Sequence, residues 1–422
     1  MNTTFSGTIR EIAIGIYDGP HATPPESGDG PIFLGIENLT AEGRVDFSKV
    51  RHISEQRFPE WTRRVVPKPG DIVFSYEATL HRYGIIPEGF RGCLGRRLAL
   101  IRPDTSKVDN QFLFYYLLSP KWRGVVESNI ITGATVDRVP LKNFPNFPVQ
   151  IPSLDTQKRI ANVLSSYDSL IENNSRRIEL LEQAARLLYK EWFVHFQFPG
   201  HERVNIVDGV PDGWERKRFC DLLETHIGGG WGQDEPTGAE IEPAFVIRGT
   251  DMASVTEGKF DSIGLRYHKE NALKSRLLRE GDIIFEVSGG SATQPVGRTL
   301  MISKTVIQQF EYGVIPASFC KLLRPTSVHV SCYLFFHLQY IRESGEMQVY
   351  QKQSASALQN FNFAAFIEHH SLPLPPENFL RGFAEQVTVI EEQKLNLARQ
   401  NYNLLKARDL LLPRLMNGEI AI

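Results

Sequence analysis

Cysteine is scarce in this chain: Cys93, Cys220, Cys320 and Cys332 are the only four, and none forms a CxxC pair. That spacing excludes a disulfide framework and the usual cysteine-based zinc sites, and a reducing cytoplasm is the expected home. Long hydrophobic runs are missing as well, and the first residues, MNTTFSGTIREIAIGIYDG, lack a basic start followed by an apolar core. Neither a membrane span nor a signal peptide is expected. No GxxxxGK[ST] phosphate loop occurs, nor a GxGxxG turn, nor an Asn-Pro-Pro or Asp-Pro-Pro tetrapeptide. Ordinary ATP hydrolysis and methyl transfer by this chain are therefore excluded, and no cofactor is expected. HIGGGWG (His226 to Gly232) has glycines without the phosphate-binding spacing and reads as a loop. IEHH (Ile367 to His370) lacks HExxH spacing and reads as an exposed histidine pair, so no metal is expected.

What is present is a sentence written twice. KPGDIVF at 68–74 returns as REGDIIF at 279–285, 211 positions later. Upstream, PIFLGIENLTAEGRVD (31–46) faces PAFVIRGTDMASVTEGKFD (243–261). Downstream, RLALIRP (97–103) faces FCKLLRP (319–325), QFLFYYL (111–117) faces CYLFFHL (332–338), and TGATV (132–136) faces QSASA (353–357). Each half then passes through a proline-bearing stretch, FPVQIPS or LPLPPEN, into a long helical pattern. Matches in one order define a tandem duplication, and a chain of 422 residues has room for two to four domains. In each copy Gly-Asp followed by β-branched residues reads as a turn and a buried strand, RLALIRP and FCKLLRP as strands stopped by proline, and NQFLFYYLLS and SCYLFFHLQYIRE as helices. The fold class is α+β.

The two long helical patterns are narrow apolar seams. In the first the seam runs Ile160, Val163, Tyr167, Leu170, Asn174, then after a four-residue step Ile178, Leu181, Ala185, Leu188 and Trp192. In the second it runs Leu380, Phe383, Val387, Ile390, Lys394, Leu397, Asn401, Leu404, Arg408, Leu411 and Leu415. This is heptad spacing with one stutter, and Asn174 and Asn401 sit where a buried amide can set register. About 36 residues give a helix of roughly 54 Å. A stripe that narrow needs a partner, and the other copy is the nearest one. The expected pairing is an antiparallel coiled coil with pseudo-two-fold symmetry; helices lying on their own domains are the alternative.

Net charge is −2 with pI near 6.6, yet the charge is segregated. From Arg44 to Arg102 there are twelve Lys or Arg against six Asp or Glu. Arg57, Arg63, Arg64 and Lys68 precede the first Gly-Asp, and Arg82, Arg91, Arg96 and Arg97 follow it. In the second copy Arg266, Lys269, Lys274, Arg276 and Arg279 precede, and Arg298 follows after SGGSATQPVG. Arginine's planar fork suits guanine edges and phosphates. Any single one is more simply a solvated surface charge, but the clusters point to DNA.

PGDIVFSYEATLHRYGIIPEGFRGCLGRRLALIRP, followed by the stretch from TGATVDRVPLKNF through IPSLDTQKRIANVLSSYDSLIENNSRRIELLEQAARLLYKEWFVHF, resembles the specificity subunit of a Type I restriction-modification system. DGVPDGWERKRFCDLL and LKARDLLLPRLMNGEIAI resemble that family's second module and last helix. The first module lacks the PDGW of 211–214, and the second helix start replaces the DTQKR of 155–159 with weaker matches. The resemblance implies a non-catalytic reader of double-stranded DNA with a target recognition domain at 1–150, a spacer helix at 151–200, a second target recognition domain at 201–372 and a second spacer helix at 373–422. It implies a bipartite site, two modification subunits that methylate adenine, and ATP-dependent restriction subunits. Trp192, Phe193 and Phe196 are candidates either for docking modification subunits or for packing beneath the adjacent module. A coiled-coil adaptor whose modules bind protein is the rival reading, with a solitary nuclease behind it.

Overall fold

Both Gly-Asp pairs close a turn and open a buried strand, as Ile72–Ser75 and Ile283–Glu286 have no exposed residue. The computed structural model describes residues 4–131, 136–290, 296–353, 359–420 and 422. The pairing of TGATV with QSASA falls on 132–135 and 354–357, and 291–295 interrupt SGGSATQPVG; these lie outside the described residues. The chain divides into two units, Met1–Leu170 with Leu404–Ile422, and Ile171–Asn403. Each long helix therefore contributes to both.

In the first unit a four-stranded antiparallel sheet is ordered Ala13–Asp18, Leu98–Pro103, Ile72–Ser75, Tyr83–Ile85. A three-stranded sheet places Ser27–Leu34 between Arg51–His52 and a parallel neighbour, Gly92–Leu94. Phe5–Thr8 pairs with Pro148–Ile151 just before the long helix. The second unit repeats this strand for strand. Its four-stranded sheet is Leu223–Gly228, Cys320–Pro325, Ile283–Glu286, Thr299–Met301, and Glu240–Ile247 lies between Gly264–Lys269 and a parallel Gly313–Pro316. Glu215–Arg218 pairs with Ser371–Leu374 before the second long helix. The α+β class and the duplication thus hold at the level of topology. His226 to Gly228, read as loop, are strand, because their backbone completes the ladder with Lys321 to Leu323.

The apolar helices Asn110–Leu118 and Val328–Glu343 back the four-stranded sheets. The first stops at Ser119, whose hydroxyl accepts from Trp122 N–H and starts a second helix, Pro120–Glu127. Proline at that first position costs no hydrogen bond, whereas the second copy has no proline there and runs on for 16 residues.

The long helices span Leu154–Tyr189, continued by a π turn at Lys190–Val194, and Glu377–Met416, with Pro413 in the last turn. In the first unit Ile160, Ala161 and Leu164 share a core with Leu412, Leu415 and Met416 and with the globular part. In the second, Ala185, Tyr189, Trp192 and Phe193 share a core with Leu380, Phe383, Ala384 and Val387. There the helices run antiparallel: Asn401 Nδ2 reaches Ile171 O at 3.2 Å and Ser175 Oγ at 3.1 Å, while the Trp192 and Phe383 rings meet at 6.1 Å. Asn174 is buried. Val163, Leu188, Ile390 and Leu411 are partly buried against these cores, and Leu397 is buried. Tyr167, Ile178, Leu181 and Leu404 are partly buried. Leu170 is a correction: it is 54% exposed, and Ile171, at 4%, takes its place. Three turns of a helix with 3.6 residues per turn take about 11 residues, so the face that holds Ile160 returns at Ile171 and not at Leu170.

Each helix packs at one end in its own module's core and at the other end in the core of the other copy, as well as against the other helix, so helices lying only on their own domains do not describe the fold. Trp192 and Phe193 are 8% and 4% exposed, and Phe193 packs against Tyr333 and Phe383 at 4.9 and 4.8 Å. Phe196 packs edge-on against Trp214 at 5.5 Å. These aromatics form core rather than a docking surface. No helix among the described residues is long and apolar enough to cross a membrane.

Candidate nucleic-acid interface

The repeated sentence is itself structural. Gly70 has φ +84° and Gly281 φ +87°, a left-handed turn that a side chain would strain. The following aspartate closes each turn by accepting a backbone N–H three residues back: Lys68 to Asp71 at 2.8 Å, Arg279 to Asp282 at 2.7 Å. Each is then clamped by an arginine from the proline-stopped strand. Arg102 donates Nε and Nη2 to Asp71 at 2.9 and 2.7 Å, and Arg324 does the same to Asp282 at the same distances. The spare contact of each guanidinium goes to the carbonyl of Val66 or Leu277, both at 3.0 Å. Asp71 and Asp282 side chains are 3% and 2% exposed, and a carboxylate can be buried this deeply only when paired. Arg102 and Arg324 were not among the sequence candidates, although both sit in an Arg-Pro that returns at nearly the spacing of Gly-Asp.

A second pair of repeated arginines also positions backbone. Arg64 donates to Gly19 O at 3.1 Å and pairs with Asp18 at 2.6 Å. Arg276 donates to Gly228 O at 2.9 Å and Ala272 O at 3.0 Å. Each steadies the chain after the outer strand of its four-stranded sheet.

Several expected contacts are engaged at the surface. Arg91 forks onto Glu55, 2.6 Å on one arm, and lies over the Phe58 ring at 4.8 Å. Arg97 is 3.6 Å from Glu77, and Lys274 pairs with Glu270 one helical turn away. Arg266 is held between Asp234 at 2.6 Å and the face of Trp231 at 4.2 Å. Trp231, 43% exposed, was not a sequence candidate. Exposed pairs of this kind are weak, about 0.2–1 kcal/mol, and exchange readily for a phosphate. Arg298 is held more firmly, forking onto Glu286 at 2.8 and 2.5 Å, and those bonds hold its guanidinium above the ordinary arginine range. Arg57, Arg63, Lys68, Arg96, Lys269 and Arg279 are exposed and form no ion pair among the described residues. The structure therefore separates the sequence candidates into open cations, surface pairs and arginines that hold backbone or a buried carboxylate.

No grouping of His, Cys, Asp and Glu able to hold a metal occurs among the described residues. His369 is exposed, but His370 is not the exposed partner expected: its Nε2 lies 2.7 Å from Nε2 of His337, whose Nδ1 lies 2.8 Å from Tyr189 Oη. At that separation one ring nitrogen must donate and the other accept, and burial, reinforced by His370, depresses His337 to about 3. The thiols of Cys93 and Cys320 are pushed up to about 12 and that of Cys332 to about 11, chiefly by burial, so none is a nucleophile at neutral pH.

A duplicated α+β unit with paired long helices and a set of open arginines defines a class of two-module proteins. The comparisons agree. Residues 37–183 match the model of the Type I restriction modification DNA specificity domain. The chain is 28% identical over 384 residues to the Type I restriction enzyme MjaIX specificity subunit of Methanocaldococcus jannaschii, covering 88% of this chain and 82% of that one. It is 24% identical to the Haemophilus influenzae HindI specificity subunit, covering 84% and 87%. Its fold is that of a crystal structure of a Type I restriction-modification S subunit from M. genitalium, with TM-score 0.59, 14% identity and 98% of this chain covered. Over most of its length the chain is thus similar to the specificity subunits of Type I restriction-modification enzyme complexes.

Proposed function

We propose that this chain is the cytoplasmic DNA-reading subunit of such a complex, with target recognition domains at 1–150 and 201–372 that each take one half of a bipartite site. The long helices, 151–200 and 373–422, are the spacer that sets the gap. In this reading two modification subunits methylate adenine where this chain directs them, and restriction subunits supply ATP-driven movement and cleavage. The observation that carries it is the set of exposed cations Arg57, Arg63, Lys68, Arg96, Lys269 and Arg279, without an ion pair among the described residues, on a duplicated frame. Cations of this kind displace counterions from phosphate, and binding then weakens with salt. Two copies of one reader fit two half-sites about one helical turn, ~34 Å, apart.

The test is a gel shift on genomic fragments with the modification subunits present, coupled to mapping of methylated adenines in the host. Retention and methylation at one bipartite sequence are expected. Retention without sequence preference would favour the adaptor reading, and metal-dependent cleavage by the chain alone would favour a nuclease. Four residues inserted between Ile160 and Trp192 should change the tolerated gap and leave the half-site bases unchanged.

A further inference from the structure

Arg82 and Arg298 occupy the same place in the two copies. Ser75 N–H donates to Arg82 O at 3.0 Å, and Glu286 N–H donates to Arg298 O at 2.9 Å, so each arginine enters the strand that returns from the Gly-Asp strand. The residue opposite differs. In the first unit it is Ser75, whose hydroxyl accepts Arg82 N–H at 3.2 Å and carries no charge, and Arg82 forms no ion pair among the described residues. In the second it is Glu286, 2% exposed and wedged against Gly249, where an added Cβ would lie 2.5 Å from its Oε1.

A carboxylate buried that deeply needs its cation. Were Arg298 to swing onto a phosphate, Glu286 would lose both of its charge-assisted hydrogen bonds inside the module and keep only the more distant field of Arg342, a loss greater than one phosphate contact returns. Arg82 carries no such obligation. We infer that Arg82 contacts DNA and Arg298 does not, so that the first module supplies most of the salt-dependent affinity. This rests on the DNA-reading function proposed above. It agrees with the distribution of the other open cations among the sequence candidates: Arg57, Arg63, Lys68 and Arg96 belong to the first module, against Lys269 and Arg279 in the second.

The test uses the full chain with its modification subunits on a labelled duplex carrying the mapped site, with affinity measured across roughly 50 to 200 mM salt. The slope of log K against log salt should fall by about one in Arg82→Gln and stay at the wild-type value in Arg298→Gln. Glu286→Gln, which removes the neutralising charge, should raise the slope, a gain that a misfolded protein cannot mimic. Equal falls in the two arginine variants, or no rise in Glu286→Gln, would overturn the inference while leaving DNA reading intact. A wild-type complex that shows no salt-dependent binding would remove the DNA-reading function itself.

Discussion

The two units are one skeleton finished in two ways. Asp71 with Arg102 and Asp282 with Arg324 are superposable in their partners, yet the roots of the long helices are built differently. In the first unit the root is polar. Arg408, with a side chain 7% exposed, pairs with Asp168 at 2.6 Å, and Asp168 also accepts from Tyr115 Oη at 2.5 Å. Gln157 accepts from Asp109 N–H at 2.9 Å, and its amide donates to Pro152 O at the same distance. In the second unit Leu380 stands where Gln157 stands in the first, and Tyr189, Trp192, Phe193, Phe336 and Phe383 form an aromatic cluster. The weak match of the second helix start to the DTQKR run is thus an exchange of a hydrogen-bonded root for an apolar one. What duplication preserves is the pair of buried charges that closes the turn, because neither partner can change alone without stranding the other.

The sharpest way to break the comparison is at the roots. Phe383→Ala should cost about 4 kcal/mol by chemical denaturation, since it empties the centre of the aromatic cluster. A loss below about 1 kcal/mol would mean that the cluster does not hold the helix. Next, Asp71→Ala and Asp282→Ala should each cost about 3 kcal/mol, because each strands a guanidinium. Matching losses are expected, and a loss confined to one copy would show that the shared clamp is not equally needed.

Acid should separate the units by a smaller amount. His337 binds a proton only near pH 3, whereas an unfolded histidine does so near 6.5. Between those values the unfolded chain takes up a proton that the native chain refuses. Stability is therefore full above about pH 6.5 and falls on acidification, by about 1.4 kcal/mol per pH unit for one such group. His370, also depressed by burial, acts in the same direction. The matching residue in the first unit is Tyr116, which does not titrate in this range. Unfolding of the second unit measured at several pH values should show the slope, and His337→Gln should flatten it; an unchanged slope in that variant would assign the effect elsewhere. Smallest of all, Leu170→Gln should change stability by less than about 0.5 kcal/mol, as expected at an exposed position, and Ile171→Ala by about 2 kcal/mol or more.

The duplication, the α+β class and the existence of two long paired helices were legible in the residues because they rest on period and order. Gly-Asp before β-branched residues, Arg-Pro after an apolar strand, and apolar positions every three and four residues all constrain local backbone directly. The exact inward face of the long helix was less legible. Leu170 and Ile171 are both apolar, and the choice between them depends on accumulated twist and on what each meets. The candidate site was legible only as clusters. Arg64, Arg97 and Arg298 look alike along the chain, and their different roles follow from Gly19 O, Glu77 and Glu286, each distant in sequence or set by strand register.

By itself, then, the sequence determined that this protein is built from two copies of one α+β module and one helix, since repetition and periodicity need no knowledge of contacts. Only the tertiary structure decided which charges are free. A guanidinium is available to a phosphate or committed to a carboxylate according to what folding brings within about 3 Å of it, and that proximity is a property of the packed chain.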